Sequence, residues 1–447
     1  MADLGAPAVL ASEYRGRPGA VLERLQVLYP KLIDLSLGRL ETLLARLGNP
    51  ERHLPPVIHV AGTNGKGSTC ANLRAIAEHA GLRVHVMTSP HLVDVTERFR
   101  VAGRLVTEDV LVNVLEEVER INDGAPITVF EVLTAAGFLL FSRYPADLVV
   151  LEVGLGGRLD ASNVIPAPRA CVITPVSLDH QAFLGDTLAA IAGEKAGIIK
   201  RGVPVVVAPQ EPEALAVIRA KAEEMGSDFF VLGQDFSVSA ERSGLVYSDA
   251  FGELILPKPG LLGPHQSLNS AVAVATLRYA GIGLPDEAYG GIAQAIWPAR
   301  LQTLKGALAQ SLPDGWELIL DGGHNPGAGA VLAEVMSQWQ DGPIHIIAGV
   351  KQSKDVRGFL EPLLAHAASV WAVSEDGQHM ASSVDDIIVA SGGVARSGPT
   401  VRAALQAIVE QAKQSAGQDS VLPARVLICG SLYLAGVVLQ QDGWLAQ

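Results

Sequence analysis

The sequence predicts an α/β protein built from two successive parallel-sheet domains. Short apolar segments rich in β-branched residues alternate with longer segments of helical periodicity, and this alternation is typical of parallel sheets covered by helices. A second series of the same kind begins near residue 300. The chain has 447 residues, of which 49% are hydrophobic and 18% are charged. It can therefore bury large cores, which excludes a disordered protein.

Five predicted strands define the first sheet. They are VIHVA at 57–61, RVHVM at 83–87, DLVVLEV at 147–153, ACVIT at 170–174 and VPVVVA at 203–208. Residues 107–121 and 131–143 carry apolar side chains at i, i+3 and i+4 and predict helices that cover this sheet. Residues 226–262 predict short antiparallel strands of a small peripheral sheet, after which helical order resumes near Leu268.

The second series predicts another α/β sheet. Its strands are WELILD at 316–321, IHIIAGV at 344–350, VWAVS at 370–374 and RVLICG at 425–430. The glycine- and serine-rich segment 391–399 is predicted to be a loop. We place the domain boundary between residues 299 and 300, just after Trp297 and Pro298.

The charge balance argues against polyanionic partners. Lys plus Arg number 34 against 47 Asp plus Glu, a formal charge of −13, which opposes general binding to nucleic acid or to an anionic membrane. The three cysteines, Cys70, Cys171 and Cys429, occur singly among apolar neighbours and predict buried, reduced thiols. No apolar run reaches the roughly 18 residues of a membrane span, and the first residues do not resemble a secretion signal. We therefore expect a cytoplasmic protein.

The segment VIHVAGTNGKGST at 57–69 predicts a phosphate-binding loop between a strand and a helix. Glycines let backbone N–H groups approach an anion, a helix N-terminus presents unpaired donors, Lys66 supplies charge, and a hydroxyl can reach a metal ion. The nucleotide-binding candidates are Gly62, Thr63, Asn64, Gly65, Lys66, Gly67, Ser68 and Thr69. The strict GxxxxGK[ST] pattern fails because Val60 replaces its first glycine and Gly67 separates Lys66 from Ser68. A glycine-rich turn without a ligand is the alternative.

Many further segments resemble one family in the order in which they occur. They are TSPHL at 88–92, ERFRVAG at 97–103, LEVGLGGRLDASN at 151–163, SLDHQAFLGDT at 177–187, GEKAGIIK at 193–200, GPHQSLNSAVA at 263–273, DGGHNP at 321–326 and GSLYLAG at 430–436. Together with GTNGKGS, they resemble the folylpolyglutamate and dihydrofolate synthases of the Mur ligase superfamily. The resemblance spans almost the whole chain.

The resemblance implies an ATP-dependent ligase that joins L-glutamate to a pteroate or folate carboxylate through an acyl phosphate. It further implies a P-loop-type ATP-binding domain at 1–299, a C-terminal Rossmann-like glutamate-ligase domain at 300–447, and a monomer. In similar bacterial proteins one chain often acts on both dihydropteroate and reduced folates. The alternatives are a superfamily ligase with a non-folate acceptor, or a regulatory or kinase-like nucleotide-binding protein.

The same resemblance implies two magnesium sites. Ser68, Ser89, Glu152 and His180 match the ligands, and oxygen donors suit magnesium. A pairing with Arg158 is the alternative explanation for Glu152, and a structural histidine is the alternative for His180. Lys66, Lys195 and His180 match catalytic positions.

Several roles depend on the resemblance alone. Lys195 matches a lysine that the family often carries as a carbamate, whereas an ordinary lysine of an amphipathic helix is the alternative. Asn269 matches an adenine contact, with helix capping as its alternative. Arg300 matches an arginine that reaches the nucleotide phosphates, although Ala299 stands where the family more often has glycine.

The remaining candidates concern the ribose and the two substrates. Asp321 matches a ribose contact, and His324 and Ser431 match residues that hold the incoming glutamate. Gly323 replaces a usual alanine of the DGGHNP loop. The family segment around Phe130 suggests that its ring stacks on the pterin, with a place in the core as the alternative.

Four basic residues complete the set of candidates. Arg98 and Arg100 are candidates for guiding a polyglutamate tail, with solvent-facing arginines on a strand as the alternative. Lys351 and Lys354 are interpreted as solvated surface lysines that can add attraction for phosphate or carboxylate groups.

Overall fold

The computed structural model describes residues 14–31, 33–416 and 422–446. These residues form two compact units. The first unit comprises the described residues up to Val176, then Gln181–Gly260 and Gln266–Ile296. The second comprises Ser177–His180, Leu261–His265 and the described residues from Trp297 onward. The second unit thus begins its long segment close to the expected boundary and also includes two short earlier segments.

The first unit contains an eight-stranded sheet in the order β4-β3-β2-β5-β1-β6-β7-β8. Its strands are β1 (Val57–Ala61), β2 (Val84–Met87), β3 (Phe99–Val101), β4 (Arg104–Leu105), β5 (Leu148–Glu152), β6 (Ala170–Ile173), β7 (Val205–Val207) and β8 (Phe229–Val231). All neighbours are parallel except β2–β3 and β3–β4. The predicted parallel sheet is confirmed, with an antiparallel pair added at one edge.

Helices surround this sheet because its central strands are buried on both faces, as in β1, β5 and β6. They are α1 (Gly16–Gln26), α2 (Gly38–Arg46), α3 (Lys66–His79), α4 (Glu108–Asn122), α5 (Val129–Arg143), α6 (Gln181–Leu184), α7 (Leu188–Ala196), α8 (Pro212–Met225) and α9 (His265–Tyr279). Short 3-10 helices lie at Pro50–Arg52, Val95–Arg98, Ala161–Val164, Asp286–Gln294 and Ala309–Ser311. The two helices predicted from periodicity are α4 and α5. None of the helices within the described ranges is long and apolar enough to span a membrane.

The peripheral sheet contains three antiparallel strands in the order β11-β10-β9. They are β9 (Ser237–Ala240), β10 (Gly244–Asp249) and β11 (Gly252–Pro257). The prediction was wrong for the start of this region, because Phe229–Val231 joins the main sheet parallel to β7. Phe229 and Val231 pack in one core cluster with Val205 and Val207 of β7.

The second unit contains a six-stranded sheet in the order β12-β13-β17-β14-β15-β16. Its strands are β12 (Gln302–Thr303), β13 (Glu317–Leu320), β14 (Ile344–Ala348), β15 (Ser369–Ala372), β16 (Arg396–Ser397) and β17 (Arg425–Cys429). Its helices are α10 (Pro326–Ser337), α11 (Val356–Leu364), α12 (Val384–Ala390), α13 (Val401–Ala416) and α14 (Leu432–Asp442). Only β12 is antiparallel to its neighbour. The predicted loop at 391–399 contains the short edge strand β16.

The three cysteines are buried free thiols, as predicted. Burial raises the pKa of the Cys171 thiol to about 12. These side chains therefore fill the cores and are not reactive groups.

A buried histidine lies in the central strand β1. The ring of His59 is inaccessible to solvent, and its Nε2 lies 2.9 Å from the Ser162 hydroxyl. Burial, reinforced by the charge of Lys200, lowers the pKa of His59 to about 3. The folded chain therefore holds this ring neutral over the whole physiological range.

We expect mild acid to destabilise the chain through His59. Below about pH 6.5, the ordinary pKa of histidine, His59 binds a proton in the unfolded state, whereas in the folded state it stays neutral down to about pH 3. The contribution of the neutral ring to the free energy of unfolding is therefore present above about pH 6.5 and is lost as the pH falls. The loss at about pH 5 is about 2 kcal/mol. Urea unfolding at about pH 7.5 and 5 should show a smaller pH dependence for His59→Gln than for the wild type.

The matched control for this prediction is His53→Gln, at an exposed ring. The control should retain the wild-type pH dependence. A pH dependence that is the same in His59→Gln and in the wild type would contradict the prediction.

Candidate functional site

The loop between β1 and α3 requires glycine at two positions. Gly62 has φ +147°, and a Cβ placed there would lie 1.8 Å from the Thr174 hydroxyl oxygen. Gly65 has φ +84°, and a Cβ there would lie 2.7 Å from the Asn269 side-chain oxygen. The strand-to-helix connection is therefore tightly enclosed by β6 and α9, and the glycines predicted from the sequence have a steric reason.

The N-terminus of α3 offers hydrogen-bond donors to an anion. The N–H groups of Thr63 and Asn64 donate to the Pro175 carbonyl at 2.9 and 3.2 Å, which fixes the loop. The first N–H groups of a helix have no acceptor within the helix, and α3 begins at Lys66 with Gly65 as its N-cap. A helix of 14 residues that starts after a glycine-rich loop is a suitable place for a phosphate group.

Two side chains support this assignment. The Lys66 ammonium donates to the Thr63 carbonyl at 3.3 Å, so its charge lies over the loop. The Thr69 hydroxyl is buried and has no hydrogen-bond partner within the described part of the chain. A buried hydroxyl without a partner is rare in native structures and is often explained by a ligand or ordered water.

Lys195 contacts the same loop from α7. Its ammonium donates to the Gly62 carbonyl at 2.9 Å, and the residue is only 4% exposed. The alternative of an ordinary solvent-facing lysine is therefore wrong. The sequence placed Lys195 near the phosphate loop through the resemblance alone, whereas the structure shows the contact.

The loop after β5 holds α7 in place. The Arg158 guanidinium donates to the Glu194 carboxylate at 2.8 and 3.0 Å. The Asn163 amide donates to the carbonyls of Arg158 and Gly197 at 3.0 and 3.1 Å. A Cβ on Gly197 would lie 2.4 Å from the Arg158 Cβ, so the two segments are in close contact. Arg158 thus pairs with Glu194, which removes the alternative explanation offered for Glu152.

Three of the predicted metal ligands belong to one edge of the main sheet. Ser89 follows β2, Glu152 ends β5 and Ser68 lies in the first turn of α3 after β1, and these strands are adjacent in the order β2-β5-β1. The Ser89 N–H donates to the Glu152 carboxylate at 3.4 Å. Glu152 and Ser68 are buried. His180 belongs to the second unit.

The oxygen donors of Ser68, Ser89 and Glu152 suit a magnesium ion. Among the described residues no group of three or more His, Cys, Asp and Glu side chains is arranged to hold a metal ion. A carboxylate with hydroxyl oxygens is the donor set of a magnesium site completed by a substrate phosphate and water. The residues present therefore suit this metal better than a transition metal held entirely by the protein.

Asn269 lies in the second turn of α9 and does not cap that helix, since α9 begins at His265. Its amide nitrogen donates to the Gln266 side-chain oxygen at 3.0 Å. Its own oxygen faces Gly65 of the phosphate loop. The capping alternative is therefore wrong, and the predicted nucleotide contact lies beside the loop.

The segment around Phe130 has a local structural role. Thr128 and Glu131 form a capping box at the start of α5, and Glu131 also pairs with Arg39 at 3.1 Å. The Phe130 ring packs against the backbone of Gly154, where a Cβ would lie 2.4 Å from the ring. The partly buried Phe130 thus lies at the loop that follows β5 and also packs on the core.

The two arginines predicted to guide a polyglutamate tail differ in burial and in hydrogen-bond partners. Arg98 is only 5% exposed, and its guanidinium donates to His91 Nδ1 at 2.8 Å and to the Tyr14 hydroxyl at 3.3 Å. Arg100 donates to the Gly103 carbonyl at 2.8 Å, and burial lowers its pKa to about 10. The alternative of a solvent-facing arginine is therefore wrong for Arg98, whereas Arg100 is half-buried.

The second unit brings its predicted residues to the carboxyl edge of its sheet. Asp321 follows β13, and its carboxylate accepts the N–H groups of Leu301 and Gly323 at 2.9 and 2.7 Å. Ser431 follows β17 and caps α14 through the Tyr433 N–H at 3.1 Å. Ligands of open α/β sheets bind at this edge.

The arginine at the start of this unit follows a strained residue. Ala299 has φ +54°, a conformation that glycine adopts more readily. The Arg300 guanidinium donates to the Ala299 carbonyl at 2.9 Å and lies 2.8 Å from the position of a Cβ on Gly322. Arg300 therefore lies beside the loop that contains Asp321.

Sequence reasoning missed the residue that organises His324. The Asp179 carboxylate accepts from the Lys354 ammonium at 2.5 Å and from the Asn325 amide at 3.2 Å, and it lies 3.5 Å from His324 Nε2. Burial alone would raise the pKa of Asp179, but the hydrogen bond from His324 and the charge of Lys354 lower it well below its usual range. The Lys354 side chain is only 9% exposed, so its interpretation as a solvated lysine was wrong. The position of Asp179 directly before His180 in the segment SLDH was the sequence signal that could have identified this residue.

The fold and the site define a two-unit α/β protein with a nucleotide-phosphate loop and a second sheet that carries polar loops at its carboxyl edge. Residues 307–441 match the family model described as "Dihydrofolate synthetase, C-terminal domain". The folylpolyglutamate synthase of Lacticaseibacillus casei is 34% identical and aligns over 90% of this chain and 93% of its own length. The dihydrofolate synthase/folylpolyglutamate synthase of Escherichia coli is 35% identical over 94% of each chain.

Solved structures agree with these relatives. E. coli FolC in complex with DHPP and ADP has a TM-score of 0.83 at 33% identity and covers 97% of this chain and 99% of that chain. A bifunctional folylpolyglutamate synthase/dihydrofolate synthase with Mn, AMPPNP and L-glutamate bound has a TM-score of 0.80 at 32% identity and covers 95% and 97%. The chain belongs to the folylpolyglutamate synthase and dihydrofolate synthase family.

We expect Asp179→Asn to destabilise the second unit. The change removes the negative charge that faces Lys354 and His324, and breaking a buried ion pair typically costs about 3 kcal/mol or more. Thermal and urea unfolding of the full chain measure this loss. Asp376→Asn, at an exposed position, is the matched control and should change stability by no more than about 0.5 kcal/mol. Equal stability of Asp179→Asn and the wild type would contradict the role given to this carboxylate.

Proposed function

We propose that this chain is an ATP-dependent ligase that adds L-glutamate to dihydropteroate, to reduced folates, or to both, and releases ADP and phosphate. The observation that carries the proposal is the alignment of nearly the whole chain with named folylpolyglutamate and dihydrofolate synthases at 34 and 35% identity. The phosphate loop, the buried Lys195 and the polar edge of the second sheet supply the groups that such a reaction needs.

The bound molecules of the relatives support the substrates. The E. coli structure holds DHPP and ADP, and the bifunctional structure holds Mn, AMPPNP and L-glutamate. The corresponding substrates of this chain are ATP, a pteroate or folate acceptor and L-glutamate, with a divalent metal ion as cofactor.

The reaction balances in two steps. An acceptor carboxylate oxygen attacks the γ-phosphorus of ATP, the bond to ADP breaks, and an acyl phosphate forms. The glutamate nitrogen, after losing a proton from its ammonium form, attacks the acyl carbon, and the carbon–oxygen bond breaks to release phosphate. Both reacting partners are anionic in the first step, so local positive charge must offset their repulsion.

The first unit supplies that charge at one loop. The α3 N-terminus and Lys66 bind the phosphates and hold them near the Glu152 edge of the sheet. Ser68, Ser89, Glu152 and His180 would hold magnesium, which would supply Lewis-acid stabilisation of the developing negative charge.

The remaining assignments extend the proposal to individual residues. Asn269 contacts the adenine, Arg300 and Asp321 bind the nucleotide, and His324 and Ser431 hold the incoming glutamate. Phe130 and Arg98 belong to the acceptor side. Residues 1–299 form the ATP-binding domain and residues 300–447 the glutamate-ligase domain.

The finer points rest on the family resemblance. These are two magnesium sites, carbamylation of Lys195 and a monomeric state. The net negative charge supports the absence of nucleic-acid and membrane partners, and the buried free cysteines support a cytoplasmic location. Burial of Lys195 against Gly62 supports its position near the phosphates. Mass spectrometry tests whether the Lys195 side chain is carbamylated.

The test offers the purified chain ATP, magnesium and L-glutamate with either dihydropteroate or a reduced folate. ADP release and product mass are followed together. Addition of one glutamate to dihydropteroate indicates a dihydrofolate synthase, and extension of the reduced folate indicates the polyglutamylating activity. ADP release without either product would overturn the folate assignment and favour a different acceptor.

We expect Lys66→Ala to abolish ligation while the chain stays folded. The variant loses the point charge over the phosphate loop, and removing one such electrostatic contact typically lowers the rate by about 100-fold or more. ADP release measures the activity, and a thermal melt verifies the fold. Lys305→Ala, at an exposed lysine, should keep full activity. Wild-type turnover in Lys66→Ala would contradict the phosphate-loop assignment.

A further inference from the structure

Gln378 is a buried glutamine whose amide has no hydrogen-bond partner among the described residues. The residue is 6% exposed, and neither its side-chain nitrogen nor its side-chain oxygen bonds to any group within the described ranges. Burying an unpaired amide lowers the stability of a folded chain. Such a group in a native structure therefore calls for a function or an ordered water molecule.

The surrounding loop is firmly held, so the unpaired amide is not the result of a loose segment. The Gln378 N–H donates to the Glu375 carbonyl at 3.1 Å. The Glu375 carboxylate in turn accepts from the Val401 N–H at 2.6 Å and from the Gln441 amide at 3.0 Å. On the other side, the Ser382 N–H donates to the Val350 carbonyl at 2.8 Å. The structure thus fixes the backbone of Gln378 from both directions.

The amide lies where the loops after three adjacent strands meet. The strands β17, β14 and β15 are neighbours, and Gln378 lies in the loop after β15. Gly349 follows β14, and a Cβ on it would lie 3.2 Å from the Gln378 side-chain oxygen and 3.0 Å from the Leu434 side chain. Leu434 belongs to α14, the helix that Ser431 caps after β17. Gln378 is therefore part of the carboxyl edge at which open α/β sheets bind ligands.

Two side chains of these loops lie against the ring of Tyr433, the residue before Leu434. The Lys351 ammonium lies 5.1 Å from the centroid of the Tyr433 ring, and the His379 ring lies 5.2 Å from the same ring. Burial, together with the charge of Lys351, lowers the pKa of His379 to about 4, so this ring is neutral at neutral pH. Of these two groups, the Lys351 ammonium can attract a carboxylate.

We propose that Gln378 is a specificity-determining residue whose amide donates a hydrogen bond to a carboxylate of the incoming L-glutamate, beside Lys351. This inference rests on the proposed function. The amide is already removed from water and gives up no protein partner, so a charge-assisted hydrogen bond to a carboxylate is gained at little further desolvation of the amide. The unpaired Gln378 amide lowers the stability of the folded chain and is retained because binding needs it.

The experiment compares Gln378→Met and Gln378→Glu with the wild-type full chain. Methionine keeps the length of the side chain without polar atoms, and glutamate keeps an acceptor but adds repulsion. Initial rates are measured against L-glutamate at saturating ATP and acceptor, with the KM for ATP and the Tm of each protein. We expect both variants to raise the KM for glutamate about tenfold or more, the loss of one hydrogen bond to a charged group, with the KM for ATP unchanged. Gln378→Met should also have a higher Tm than the wild type.

The matched control is Gln352→Met, an exposed glutamine in the neighbouring loop whose amide donates to the Ala381 carbonyl at 3.0 Å. It should keep the wild-type KM for glutamate. An unchanged KM for glutamate in both Gln378 variants overturns the proposal, whether the Tm rises or falls. If the KM is unchanged and the Tm is lower, Gln378 is a structural residue. Absence of any glutamylated product from the wild type instead overturns the proposed function.

Discussion

The hydrogen bond from the buried Lys195 ammonium to the Gly62 carbonyl joins the phosphate loop to α7. An ammonium group inside a protein is costly to leave without partners, so the helix cannot move away from the loop without a large loss of free energy. Arg158 and Asn163 hold the end of α7 from the other side. The positions of the phosphate-binding groups therefore depend on one network that joins the loops after β1 and β5.

Local charge in this chain opposes its overall charge. The formal charge of −13 repels anionic substrates, whereas Lys66 and the N-terminus of α3 present positive charge at the proposed phosphate site. In the second unit, the Asp179 carboxylate gathers Lys354 and His324 at one point. This carboxylate keeps two basic side chains close together that would otherwise repel each other when both are charged.

Two buried polar groups without a hydrogen-bond partner among the described residues lie in the proposed binding regions. The Thr69 hydroxyl lies in the first helical turn after the phosphate loop, and the Gln378 amide lies at the carboxyl edge of the second sheet. Polar groups of this kind reduce stability, and natural chains keep them mainly where a ligand or a reaction needs them. The close contacts at Gly62 and Gly65 are likewise confined to the phosphate loop. The backbone there has a conformation that other residues adopt only with strain.

The sequence by itself determined the α/β class, the central parallel strands of both sheets, the phosphate loop and the family. It did so because strands buried on both faces appear as continuous apolar runs and because loop glycines are required locally. The tertiary structure decided that Phe229–Val231 joins the main sheet, that Arg98 is buried, and that Asp179 and Gln378 belong to polar clusters. The contacts of Asp179 with His324 and Lys354 join residues that lie 145 and 175 positions apart in the chain. Pairings at such separations depend on how strands are ordered in a sheet, and no local pattern of residues encodes that order.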